Sequence, residues 1–331
     1  MKIAGRVVLK KDRDGPVRGG NPWVFSQAIA RVEPADLAAG DGVEVFDIAR
    51  ERLGFGYFNP ATTIALRMLE FGDRIEPAHI VHYRIRQAFD LRHRIISSDT
   101  NCYRLINGDG DGLSGVVVDC YHDIAVLQLL TAGADRMRPE VVEALEQLLM
   151  PRAVIERSYG AVRRQEGLAD RGGVLAGESV STTSVKENGI ELLVDFEHGQ
   201  KTGYFLDQRD NRALLGELAA SARVFDGYCY SAGFALAALR GGARQVVAAD
   251  TSVRALEWAR RNFELNRWAP QFYELVHSEA AQYLGQSGDR FDIVVLDPPP
   301  LARSLKTCHA QRISTLNSIA RQCGRWRMAV F

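Results

Sequence analysis

The spacing of apolar and polar positions changes twice along the chain. From residue 1 to about 72, short apolar runs (Val7 to Leu9, Trp23 to Phe25, Val43 to Phe46, Phe55 to Tyr57, Ile64 to Leu69) are punctuated by Asp14-Gly15-Pro16, Gly40-Asp41-Gly42 and Asn59-Pro60. Short runs at regular spacing with turn residues between them, and no long helical period, predict a small β-barrel. From about Arg74 to Arg94 the apolar positions Ile80, Tyr83, Ile85, Ala88, Leu91 and Ile95 recur at roughly helical spacing, which predicts a linking helix. A Gly/Asp-rich turn between two strands over Tyr103 to Asp119, strands at Ile124 to Leu130 and Ala153 to Glu156, a helix at Pro139 to Leu149, and extended segments near Val174 and Ile190 to Phe196 predict an α+β middle region.

In the last third, apolar runs end in acids. Arg223 to Phe225 runs into Asp226, passes a loop of small residues (Gly227 to Gly233) and continues as a helical segment, Phe234 to Arg240. Gln245 to Ala249 ends in Asp250, and Phe291 to Leu296 ends in Asp297-Pro298-Pro299. A strand that hands over to a helix through such a loop is the unit of a parallel α/β sheet, whose ligands collect at the carboxyl ends of the strands. Asp250 follows Asp226 at about the separation at which nucleotide-binding folds place the acid that accepts ribose hydroxyls. Three strands ending this way outline a nucleoside pocket with an extra carboxylate beside it.

The loop lacks G-x-G-x-x-G spacing and so has no cradle for a pyrophosphate. S-adenosylmethionine (SAM) carries no phosphate and needs only close backbone approach at Ala232-Gly233 and a ribose acid. A nicotinamide dehydrogenase reading fails for want of the phosphate loop.

Length and composition bound the rest. The 331 residues suit two or three domains. A hydrophobic content of 46% with 25% charged residues describes a globular protein. Balanced charge, 41 basic against 41 acidic residues, confines any nucleic-acid surface to local patches. Two candidates are the first 20 residues, with Lys2, Arg6, Lys10, Lys11, Arg13 and Arg18 against Asp12 and Asp14, and the stretch Arg84 to Arg94. Five cysteines without C-x-x-C spacing point to reduced thiols and a cytoplasmic protein, with no zinc site. No apolar run reaches the ~18 residues of a membrane span. The loop Asn107-Gly108-Asp109-Gly110-Asp111-Gly112 lacks the twelfth-position Glu and flanking helices of a calcium loop, so no metal is expected.

Several motifs carry a resemblance. Arg18-Gly19-Gly20-Asn21-Pro22-Trp23-Val24-Phe25, Gly40 to Val45 and Gly56 to Pro60 resemble the PUA domain, an RNA-binding module. Tyr103 to Gly108 is similar to the middle-domain motif of the same family, and Gly199-Gln200-Lys201-Thr202-Gly203-Tyr204-Phe205-Leu206-Asp207-Gln208-Arg209 is nearly its signature. Together they resemble the PUA-containing class I SAM-dependent methyltransferases that act on cytosine C5 of large-subunit rRNA.

The resemblance implies a multidomain chain: a PUA-like barrel over 1–73, an α+β domain over 74–190, and an incomplete Rossmann-like methyltransferase sheet over 191–331. It implies SAM as cofactor, held by Tyr204, Phe205, Asp207, Arg209, Asp226, Tyr228, Ser231, Gly233, Asp250, Ser252 and Glu279. It places Asp297 at the methyl-transfer site, and Arg18, Asn21, Trp23 and Lys201 on rRNA. The family's nucleophile is a cysteine in a Ser-Cys-Ser segment that this sequence does not contain, and residues 301–331 carry six Arg or Lys and no acid. A truncated or altered reading frame would explain both, would expose a sheet edge that a homodimer could cover, and leaves an alternative: a SAM- and RNA-binding protein without catalysis.

Overall fold

The computed structural model describes residues 1–298. They divide into two compact units, one formed by 1–183 with 195–204, the other by 184–194 with the chain from 205 onward.

The first unit begins with β1 (Ile3–Leu9), a short helix α1 (Gly15–Arg18), β2 (Trp23–Phe25), β3 (Ile29–Glu33), β4 (Asp41–Phe46), β5 (Arg52–Phe58) and β6 (Ile64–Phe71). These strands make one six-stranded sheet in the order β2-β6-β5-β4-β1-β3. All pairs are antiparallel except β1 with β4. One set of side chains, including Val7, Val24, Val43, Val45, Leu66 and Met68, closes a core within the sheet. This is the arrangement that the short punctuated runs predict.

Helix α2 (Ile80–Ile95) leads to the middle region: β7 (Cys102–Asn107), β8 (Val116–Tyr121), β9 (Ile124–Leu129), α3 (Ala132–Arg136), α4 (Arg138–Leu149), β10 (Ala153–Ser158), α5 (Ala161–Gln165) and β11 (Arg171–Gly177). Its five strands lie in the order β11-β10-β9-β8-β7. Sheet and barrel do not have separate interiors. Phe55, Tyr57 and Leu69 of β5 and β6 belong to the same buried cluster as Ile80 and Ile85 of α2, Leu105, Val118, Leu127 and Val141. Tyr57 seals the junction, its phenol donating to the Ser114 carbonyl at 3.0 Å and lying 2.7 Å from Thr131 Oγ1.

The first unit also contains the turn 199–204. Thr202 Oγ1 donates to Asp119 Oδ2 at 2.6 Å and lies 2.8 Å from the Tyr121 hydroxyl. That hydroxyl accepts from the Tyr204 amide at 3.2 Å.

A hairpin, β12 (Thr182–Glu187) and β13 (Ile190–Asp195), leads into the second unit: α6 (Arg209–Leu218), β14 (Arg223–Gly227), α7 (Gly233–Arg240), β15 (Gln245–Asp250), α8 (Val253–Leu265), β16 (Tyr273–His277), α9 (Ala280–Gln286) and β17 (Ile293–Leu296). Its four strands run parallel in the order β16-β15-β14-β17. The chain therefore reverses direction across the sheet between β14 and β17, and that switch point is where open α/β sheets take their ligands.

Candidate functional site

Strand register brings the three acids to one end of the sheet. Gly227 pairs with both Ala249 and Leu296, so Asp250 and Asp297 each stand one residue past the rung that follows Asp226. Gly227 permits the close packing beneath them, since a Cβ there would lie 2.7 Å from Ala280 Cβ and Leu296 Cδ2.

Asp226 is 1% exposed. Burial pushes its carboxyl up to about 7, and the nearby charges of Asp297 and Asp250 push the same way against a hydrogen bond from the Ala235 amide. That bond, 3.0 Å to Asp226 Oδ2, ties the acid to the first turn of α7.

The Asp226–Gly233 loop is tightly wound. Tyr228, Tyr230 and Ala232 all have positive φ, at 63°, 50° and 65°. At Ala232, immediately before α7, a glycine would adopt this left-handed conformation without the Cβ clash. Asp250 holds the loop from the next strand: its Oδ2 accepts from the Tyr230 amide at 2.9 Å and its Oδ1 from the Ser252 amide at 2.8 Å. Each oxygen keeps a further lone pair for a ligand hydroxyl. Ser252 in turn caps α8, its side chain accepting from the Ala255 amide.

Asn262, fully buried on α8, donates to the Ser231 carbonyl at 3.0 Å and accepts from the Leu193 amide at 2.8 Å. It is a positioning residue that sequence reading missed. Its signal was one amide among Ala255, Leu256, Ala259 and Phe263 on the buried face of α8.

Ser231 bears on the fit of a cofactor. Its side chain is buried, and Oγ has no hydrogen-bond partner among the described residues. A buried hydroxyl left so is costly unless a ligand completes it. This orphaned donor lies in the loop expected to pass the methionine part of SAM, and the residues present fit that ligand. The Phe205 ring packs edge-on against Tyr230 at 5.6 Å, adding an aromatic wall. Tyr228 and Glu279 come near enough for the Glu279 charge to raise the phenol, after burial as the main cause. Glu279 itself is exposed at the start of α9.

Gln208 Nε2 donates to Asp297 Oδ2 at 3.2 Å, so the signature segment touches the methyl-transfer candidate directly. Arg209 reaches its neighbour Asp210 at 3.0 Å, and Asp207 is exposed. Arg212 is a structural residue: it clamps Glu187 with two bonds of 2.6 and 2.7 Å and the Phe205 carbonyl at 2.9 Å. Tyr204, expected beside SAM, is buried in the first unit with its amide on Tyr121. Lys201 is exposed there, at a positive φ of 51°.

On the barrel, Trp23 is 42% exposed and Asn21 Oδ1 accepts its amide at 2.9 Å. Arg18, expected to contact RNA, is held by three carboxylates, Asp14, Asp47 and Glu51, at 2.6 to 2.8 Å. The second basic patch is similarly reduced, because Arg84 pairs with Glu70 and Arg92 with Asp111.

Cys229, the thiol in the loop, is buried, and burial first, then the charges of Asp226 and Asp250, hold it well above the ordinary cysteine range. Burial likewise pushes Cys120 up to about 12. Cys308, Cys323 and the tail 301–331 lie outside the described residues. Among the described residues no cluster suits a metal ion, and no helix is long and apolar enough to cross a membrane.

Comparison with known proteins agrees with this geometry. Residues 139–315 match the family model of S-adenosylmethionine-dependent methyltransferases, and residues 7–71 match that of PUA-like domains. Ribosomal RNA large subunit methyltransferase I of Escherichia coli (strain SMS-3-5 / SECEC) is 38% identical over 301 residues, 89% of this chain and 76% of that protein. The protein of the same name from Photobacterium profundum is 39% identical over 305 residues, 90% of this chain and 77% of that one. A crystallised protein described as a methyltransferase complexed with SAH superposes with a TM-score of 0.79 at 24% identity, covering 96% of this chain and 83% of that chain, which shows a shared fold. The chain belongs to the family of SAM-dependent methyltransferases with an N-terminal PUA-like domain that includes ribosomal RNA large subunit methyltransferase I.

Proposed function

We propose that the chain methylates carbon 5 of a cytosine in large-subunit rRNA. The observation that carries this reading is the trio of carboxylates around the switch point of the parallel sheet, with Asp297 at the end of β17 joined by Gln208 to the segment 205–212. The names of the relatives support large-subunit rRNA as the substrate.

Bound SAM supplies an electrophilic methyl group. Asp250 would take the ribose hydroxyls, the Ser231 hydroxyl and the backbone of the 226–233 loop would meet the methionine part, and Phe205 with Tyr230 would wall the pocket. Asp297 suits the Watson-Crick edge of a cytosine, where a carboxyl can hydrogen-bond the ring as charge shifts through it. Residues following Asp297-Pro298 in the sequence, Pro299, Pro300 and Leu301, offer no aromatic for stacking, so an exocyclic amino group is the poorer target. The cytosine must be unpaired or flipped out to enter. The barrel's exposed Trp23 and the Lys201 turn are the RNA contacts this reading uses, with Asn21 fixing the backbone at Trp23.

Carbon 5 becomes nucleophilic when a thiolate adds at C6, and the thiol leaves again after the methyl group has arrived and the C5 proton is lost. Cys229 is a poor candidate for that thiolate, because its burial and two neighbouring carboxylates favour the neutral thiol. This favours a second reading, a protein that binds SAM and RNA without transferring the methyl group.

Incubation with labelled SAM and protein-free large-subunit rRNA separates the two. Label at cytosine C5 is expected. SAM binding by calorimetry without label establishes the non-catalytic reading, and absence of SAM binding overturns the pocket.

A further inference from the structure

The loop Asn107–Gly112 finds no part in the cofactor site, yet it forms one wall of a cleft of about 430 Å³ in the first unit. The opposite wall is the edge of the barrel: Trp23 of β2, with Ile64 and Arg67 of β6 beside it, and Val162 of α5 closes one side. β2 is the outermost strand of its sheet. Trp23 pairs with Arg67, and Phe25, 40% exposed, follows two residues on from the same face.

An exposed indole would ordinarily be free to turn. Here Trp23 Nε1 donates to Asp109 Oδ2 at 2.9 Å, a bond between residues 86 positions apart that fixes the ring's orientation while its face stays accessible. The loop is itself held. Arg92 grips Asp111 with two bonds of 2.6 and 2.8 Å, and Asp111 accepts from the Asn107 amide at 2.7 Å.

Polar chemistry in the cleft decides what it takes. Arg67, the cation in its lining, is neutralised by Glu166 at 2.6 Å, which leaves no free positive charge there for a phosphate. The Asn107 side-chain amide is exposed and hydrogen-bonds to no described residue. An amide offers a donor and an acceptor side by side, the pattern that matches a base edge. A fixed aromatic face beside such an amide, in a cleft large enough for a base, is how unpaired nucleotides are held.

We propose that this cleft receives an unpaired nucleobase of the RNA, stacked on Trp23 and read at its edge by Asn107, apart from the base that is methylated. The proposal rests on the reading of the chain as an RNA enzyme, and gives the Asn107–Gly112 loop the task of presenting Trp23.

The test uses the full chain and a fluorescein-labelled, mixed-sequence single-stranded RNA of about eight nucleotides, within the usual site sizes. Trp23→Ala weakens binding about ten- to a hundredfold, the loss of one stacked base. Trp23→Phe keeps most of the affinity, and Asn107→Ala, which removes no side-chain hydrogen bond to a described residue, weakens binding severalfold. Indole fluorescence quenched by the RNA in the parent protein, with that component lost in Trp23→Phe, is the second expected sign. Parental affinity in both Trp23→Ala and Asn107→Ala overturns the cleft. If rRNA is still methylated by those variants, the methyltransferase reading stands without the cleft. If the parent protein methylates no RNA but Trp23→Ala still weakens binding, the cleft stands and that reading falls.

Discussion

Asp226 is where a single residue sets the behaviour of the pocket. Its carboxyl, ordinarily at 3.8, titrates at about 7 in the folded chain, so between these values the folded state holds a proton that the unfolded state has released. Stability from this group is therefore present at low pH and declines as pH rises from about 4 to about 7. A cationic ligand reverses the preference by favouring the carboxylate. SAM binding near pH 6.5 should accordingly release protons. Calorimetry in buffers of different ionisation enthalpy should show a buffer-dependent heat that Asp226→Asn removes. A heat independent of buffer would mean that the ligand's charge does not reach Asp226. The acid itself was legible as a strand end, but its burial was not, because burial comes from α7 and the flanking strands folding over it.

Among the elements, the hairpin β12–β13 depends on α6. Arg212 and Glu187 are both buried, at 4% and 2% exposure, and a guanidinium fork satisfies both carboxylate oxygens. Arg212→Leu strands a buried carboxylate and should lower stability by about 3–5 kcal/mol. Replacing both residues with leucine should recover most of that loss. Urea unfolding of the two variants checks this, and equal losses would refute the pairing. In the sequence Arg212 reads as one more polar group in a ligand-rich segment, since the residue that claims it lies 25 positions away. β3 and β12 were missed although each ends in an acid, while most other strands marked by turns or terminal acids were legible. β16 was not, because it ends in His277-Ser278 and its half-buried residues alternate poorly.

Across the whole molecule, barrel and middle region behave as one body because Tyr57 sits in both. α3 lies directly under its ring, and a Cβ at Gly133 would fall 2.1 Å from Tyr57 Cγ. Gly133→Ala should therefore destabilise by several kcal/mol, more than the ~1–3 kcal/mol of ordinary overpacking, because ring and backbone are both buried. Hydrogen exchange should show β4 and β5 losing protection together with β8 and β9. Unchanged protection in β4 and β5 would mean that the barrel is stable alone. The runs containing Phe55, Tyr57 and Leu69 show in sequence that they are buried. They do not show that their neighbours are Leu105 and Val118, because that pairing is made by the chain's return through α2.

The three described cysteines are all buried, two in the first unit and one in the second. Their burial makes each inert until its surroundings open. A thiol-alkylating reagent followed by peptide mass spectrometry thus becomes a two-channel clock: Cys102 and Cys120 report the opening of the first unit, and Cys229 times the opening of the 226–233 loop in the second.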